Sequence, residues 1–190
     1  MRDAETARAA FADAAALLRV MAADRVEATV RAADAIRAAL DAGHKVLAFG
    51  NGGSATDAEH LAAELVGRFR RDRPGLAALA LTADSAVVTS VSNDFGFDQV
   101  FCRQVEALGK PGDVAVAVTT SGASRNVNLA VSAARERGLV TIGLTGRDGG
   151  ETGRLVDVHV NVPSADTARV QEAHRAVLHV MCELVERDRV

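Results

Sequence analysis

Five short apolar runs, each followed or preceded by a helical segment, do most to constrain how this chain folds. They are KVLAFG (45–50), LAALAL (76–81), DVAVAV (113–118), VTIGL (140–144) and VDVHVNV (156–162). Apolar residues at helical spacing predict helices over 55–67, 84–92, 97–107, 124–136 and 166–187. Runs so short and so continuously apolar suit strands buried on both faces, and helical crossovers return the chain so that the strands lie parallel. The expected class is α/β, a three-layer αβα sandwich around a five-stranded parallel sheet. Two Ala-rich helical patterns, 3–21 and 24–42, come first and stop at Asp41-Ala42-Gly43. Preceding any strand, they are expected to pack as an added layer or an oligomer contact.

At 190 residues with 48% hydrophobic content, the chain can bury one sizeable core. One domain over 1–190 is expected, with 1–43 as the helical layer and 44–190 as the αβα core. A formal net charge of −3 provides no global field to gather nucleic acid or an acidic membrane surface. No apolar run reaches membrane-spanning length, and Asp3, Glu5 and Asp13 make the first twenty residues unlike a signal peptide. Cys102 and Cys182 lie in apolar helical patterns and read as buried reduced thiols. A cytoplasmic protein without nucleic-acid or membrane partners is expected.

Ligands of doubly wound sheets settle beyond the carboxyl ends of strands, where helix amino termini offer unpaired N–H groups. Two loops there draw attention: Gly50-Asn51-Gly52-Gly53-Ser54, and Thr119-Thr120-Ser121-Gly122-Ala123-Ser124. Glycine permits close backbone approach to an oxyanion, and hydroxyls donate to it with little bulk. The second loop reads as a phosphoryl cradle, with Ser121 and Ser124 as the main donors and Thr119 and Thr120 assisting. A nucleotide is poorly supported. Gly50-x-Gly52-x-x-Ala55 lacks an acid at the end of the next strand, and the GK[ST] of a P-loop is absent.

His60 and Glu64 stand i, i+4 behind the first loop and share one helix face. On the final helix, Gln171 and His179 are eight apart, about 80° around the axis, while His174 shares the Gln171 side by i, i+3 spacing. Spacing alone therefore does not choose between the two histidines. His60, Glu64, Gln171 and His179 would together offer two imidazoles, a carboxylate and an amide oxygen, a set zinc accepts. The run Arg68, Arg70, Arg71 and Arg73 before Pro74 reads as a solvated loop face.

Taken together, GNGGSATDAEHLAAELVGRF, LTADSAVVTSVSNDFGFDQVF, TTSGASRNVNLA, LTGRDGG and VPSADTARVQEAHRAVLHVMCELVE resemble, in this order, the phosphoheptose isomerase family of the sugar-isomerase (SIS) domain superfamily. The resemblance runs from about Lys45 to Glu186, and the two amino-terminal helices suit it. It implies a sheet of flavodoxin-like (SIS) type and a homotetramer with active sites at subunit interfaces. It implies conversion of D-sedoheptulose 7-phosphate to D-glycero-D-manno-heptose 7-phosphate for heptose-containing glycoconjugates such as lipopolysaccharide.

The same resemblance places the family's metal-ligating histidine on His60, its catalytic glutamate on Glu64, its glutamine on Gln171 and its catalytic histidine on His179 rather than His174. One zinc per subunit is implied, on His60, Glu64, Gln171 and His179. Phosphate contacts fall on Thr120, Ser121 and Ser124 beside Thr119, and substrate contacts on Asn51, Gly52, Gly53, Ser54, Asn93 and Asp94. Arg68 is implied as a phosphate or interface residue. Where the family commonly has STSGNS, Thr119 keeps a hydroxyl and Ala123 drops an amide. The competing readings are a non-catalytic SIS module that binds the replication initiator, and an isomerase of another sugar phosphate.

Overall fold

The computed structural model describes residues 2–189. Helices α1 (Arg2–Asp24) and α2 (Val26–Asp41) lead into β1 (Val46–Gly50), α3 (Gly53–Val66) and β2 (Ala78–Ala80). Next come α4 (Ser85–Phe95), a 3-10 turn (Phe97–Gln99), α5 (Cys102–Leu108), β3 (Val114–Thr119) and α6 (Arg125–Glu136). The chain closes with β4 (Val140–Gly146), α7 (Gly150–Leu155), β5 (Val158–Val162) and α8 (Thr167–Glu186). All strand pairs are parallel, in the order β2-β1-β3-β4-β5, as expected of the flavodoxin-like type.

Alternation along the strands divides the core. Val46 and Ala48 of β1 join Val114, Val116 and Val118 of β3 beneath α2, α3 and α8. Leu47 and Phe49 join Ala115 and Ala117 beneath α5 and α6. This is the period-2 consequence of a pleated strand with a helical layer on each face. Asp113 ties the amino ends of β1 and β3: its carboxylate accepts from the main-chain N–H groups of Lys45 and Lys110 and from Lys45 Nζ at 2.5 Å.

Several boundaries differ from the expectation for physical reasons. Only Ala78–Ala80 of the run 76–81 forms a strand, because β2 is an edge with one neighbour, and Leu79 stays 42% exposed. The run 156–162 starts late, since the Asp157 carboxylate itself accepts from the Thr141 N–H and hydroxyl. The helix α7, GETGRL, is too short and glycine-rich to leave a periodic signal. The segment 97–107 divides into the 3-10 turn and α5, with Val100 and Phe101 buried between them. Cys182 is buried as expected, whereas Cys102 is only partly so.

Candidate active site

Strands β1 and β3 are neighbours, yet the helices that follow them pack on opposite faces of the sheet, α3 in one core cluster and α6 in the other. That divergence opens a crevice at their carboxyl ends, the place where ligands bind in such sheets. Asn51, just past β1, and Asn126, in the first turn of α6, bridge the crevice through two reciprocal amide hydrogen bonds of 2.9 Å. Asn126 is buried and was not anticipated from the sequence. Its signal would have been a carboxamide on a core-facing position of an amphipathic helix.

The loop 119–124 turns its hydroxyls toward one another. Thr119 Oγ1 lies 3.3 Å from Ser124 Oγ and 3.5 Å from Ser121 Oγ. Ser124 occupies the N-cap of α6 without spending its hydroxyl on a cap bond, so both that hydroxyl and the first N–H groups of the helix suit an anion. A side chain at Gly122 would collide with the Gly149 carbonyl of the following loop, so glycine is required for the two loops to stack. Thr152 completes the stack by donating its N–H and hydroxyl to Gly122 O.

Helices α3 and α8 face each other along matched stripes. From Gly53, Asp57, His60 and Glu64 on one side, and Gln171, Arg175 and His179 on the other, three cross-contacts form. The Gln171 amide lies against Gly53 where any side chain would collide with it. Arg175 pairs with Asp57 at 2.8 Å, leaving Asp57 Oδ2 buried without a partner among the described residues. His60 Nε2 lies 2.8 Å from His179 Nε2 and 3.3 Å from Glu64 Oε1. Spacings of four and three residues on α3 and of four on α8 make these pairs coincide.

Burial pushes the His60 pKa below its ordinary value, and the Arg175 charge adds to the effect against the pull of Glu64. A neutral imidazole is the form that binds metal. Ligand atoms of His60, Glu64 and His179 lie within 4.8 Å of one another. Two atoms bound tetrahedrally at zinc distances would sit about 3.3 Å apart; His60 and Glu64 already stand at that separation, while the two imidazole nitrogens, hydrogen-bonded at 2.8 Å, would have to open slightly around such a cation.

His174 stands apart from this group. It is fully buried and bonds Thr145 O at 3.0 Å, so Nε2 carries the proton and Nδ1 is a buried acceptor without a partner among the described residues. Asn93 and Asp94 are exposed near the end of α4 and hydrogen-bond each other at 2.8 Å rather than any residue of the histidine cluster. Arg68 is exposed just past α3. The solvated reading of the arginine run needs correction at Arg73, whose side chain is 1% exposed and paired with Glu186 at 2.9 Å. Burial there is possible because every guanidinium nitrogen finds an acceptor.

The SIS domain family matches residues 11–146. Among curated proteins, a phosphoheptose isomerase of Geobacter metallireducens is 56% identical over 150 residues, which span 79% of either chain. The structure of phosphoheptose isomerase GmhA from Neisseria gonorrhoeae superposes with a TM-score of 0.92 at 46% identity, covering 96% of this chain and 98% of that one. A phosphoheptose isomerase from Francisella tularensis gives a TM-score of 0.95 at 35% identity, covering 99% and 100%.

Proposed function

This chain belongs to the phosphoheptose isomerase family of SIS-domain enzymes, and on that premise we propose that it converts D-sedoheptulose 7-phosphate to D-glycero-D-manno-heptose 7-phosphate. The observation that carries the reading is the meeting of His60, Glu64 and His179 between α3 and α8, on the helix that leaves the β1 side of the crevice. Ketose–aldose exchange moves a proton between C1 and C2 through an enediolate, which requires a base on carbon and a group to shuttle protons on the oxygens.

Glu64 is the base, and His179 handles the oxygen protons. Thr120, Ser121 and Ser124, with Thr119 and the amino end of α6, bind the phosphate. Asn51, Gly52, Gly53, Ser54, Asn93 and Asp94 line the sugar, and Arg68 serves the phosphate or a subunit contact. His60, Glu64 and His179 would hold one zinc per subunit, with Gln171 joining as a fourth ligand only if its amide leaves Gly53, two helical turns along the α3/α8 seam; the chemistry supplied when bound is Lewis-acid polarisation of the substrate carbonyl. With two carboxylate oxygens, Glu64 can be a ligand through one and take a proton through the other.

The chain acts in this reading as one SIS domain over 1–190, within a cytoplasmic homotetramer with interfacial sites that serves heptose-containing glycoconjugates. Among the described residues no helix is long and apolar enough to cross a membrane. Proton NMR of sedoheptulose 7-phosphate in deuterated buffer tests the activity, first with added zinc and then with chelator. A new aldose anomeric signal that disappears on chelation is expected. Absence of both turnover and exchange at C1, despite zinc, would overturn the assignment.

A further inference from the structure

One buried ion pair, outside the His60–Glu64–His179 cluster, grips both helices that carry it. Arg73 and Glu186 have side chains 1% and 2% exposed, and Glu186 is the last residue of α8. A carboxylate there meets the negative end of its own helix dipole, an unfavourable placement without compensation. Compensation comes from one loop. Glu186 Oε1 accepts from the Phe69 N–H at 2.8 Å and from Arg73 Nε at 3.0 Å, and Oε2 accepts from the Arg70 and Arg71 N–H groups at 2.9 and 3.0 Å. Burial alone would raise this carboxyl, but those N–H bonds and the Arg73 charge hold it below its ordinary value.

Arg73 in turn closes the carboxyl end of α3. Nη2 donates to Glu64 O at 2.8 Å, and Nη1 to Leu65 O at 2.7 Å, Gly67 O at 3.1 Å and Pro74 O at 3.0 Å. Helix ends leave such carbonyls without partners, and a guanidinium fork can serve several at once. One of them is the main-chain carbonyl of Glu64 itself. The loop held by Glu186 also carries Phe69, whose ring centroid lies 5.2 Å from that of His179.

We infer that Arg73 and Glu186 are positioning residues for the isomerisation, fixing the last turn of α3 under Glu64 and, through Phe69, the ring of His179. The inference rests on the proton-handling roles given to Glu64 and His179 above. The phosphate loop 119–124 takes none of these hydrogen bonds, and Arg68, one residue before the held N–H groups, donates none of them, so the pair acts mainly on the chemical step.

Glu186→Gln keeps shape and removes charge, while Arg73→Lys keeps charge and removes the fork. Both should lower kcat about 10- to 100-fold, as displacements near 1 Å do, with KM changed less than about threefold. In the metal-free protein, long-range proton–nitrogen NMR should show the His179 and His60 imidazole signals shifted and those of His159 and His174 held. Folded variants with wild-type imidazole signals and kcat would overturn the inference even if their Tm falls. Shifts spread over all the histidines, or kcat and KM altered alike, would overturn it too. Should the ion-pair variants not fold, Phe69→Leu leaves the pair whole and must give the same His179 shift and kcat loss. An inactive wild type would sink the isomerase reading alone, because the imidazole signals still decide whether the pair holds His179.

Discussion

Glu64 and His174 illustrate how differently two polar side chains on packed helices are used. Glu64 faces His60 across 3.3 Å between α3 and α8. Replacing it by Gln keeps size and hydrogen bonding but removes the base, so kcat should fall by at least about 10²-fold. Phosphate binding, followed by titration calorimetry with a sugar phosphate, should be largely retained. His174 is instead a neutral core residue whose pKa is pushed down by burial, against weaker support from the Thr145 carbonyl and the Asp57 charge. The unfolded chain takes up this proton below about pH 6.5 while the native one resists it, so stability is fully present above that pH and declines as pH falls toward the folded value. Thermal unfolding should therefore show wild-type Tm dropping more steeply than that of His174→Gln between about pH 7 and 5, even though the variant starts lower.

Between α3 and α8, register rather than any one side chain makes the site, and Gly53 sets how closely the two stripes approach. Ala is favoured over Gly in a helix by about 1 kcal/mol, so Gly53→Ala should leave Tm unchanged or raised. Its methyl would nevertheless enter the space of the Gln171 amide. Activity should fall at least about tenfold, as a misplaced group in a reaction site requires, and circular dichroism on the same sample separates this from unfolding. These elements were readable in the sequence to different depths. Continuous apolar runs disclosed the buried strands, and i, i+4 spacing disclosed the His60–Glu64 pair. The choice between His174 and His179 was not available from spacing, because it depends on how α8 is rotated against β4 and α3. Arg73 looked solvated for a similar reason: its partner Glu186 lies 113 positions away along the chain. Asn126 was hidden by an ordinary-looking helix start.

For the whole molecule, the helical layer leaves an apolar groove open. A groove of 230 Å³ between α1, α2 and α8 is lined by Leu18, Met21, Val26, Val30, Val177 and Val180. Val26 and Val180 are 51% and 46% exposed, and Phe11 of α1 is 78% exposed. Patches of this kind mark association surfaces. Light scattering should give the mass of a tetramer for the wild type and a smaller species for Val26→Asp with Val180→Asp. Turnover should fall with the mass, since the sites are assigned to subunit interfaces.

The reciprocal amides of Asn51 and Asn126 also bear on how the protein ages. Asn51 precedes Gly52, a neighbour whose unhindered main-chain nitrogen readily attacks an asparagine side chain and expels ammonia. Loss of that ammonia would set a carboxylate oxygen against the Asn126 carbonyl oxygen, where a donor now lies at 2.9 Å. The bridge and the chemical lifetime of the crevice thus protect each other: held by both bonds, the amide is kept from turning toward Gly52. Asn126→Ala frees it, and peptide mapping of protein stored warm at mildly alkaline pH should find aspartate and isoaspartate accumulating at position 51 sooner than in the wild type.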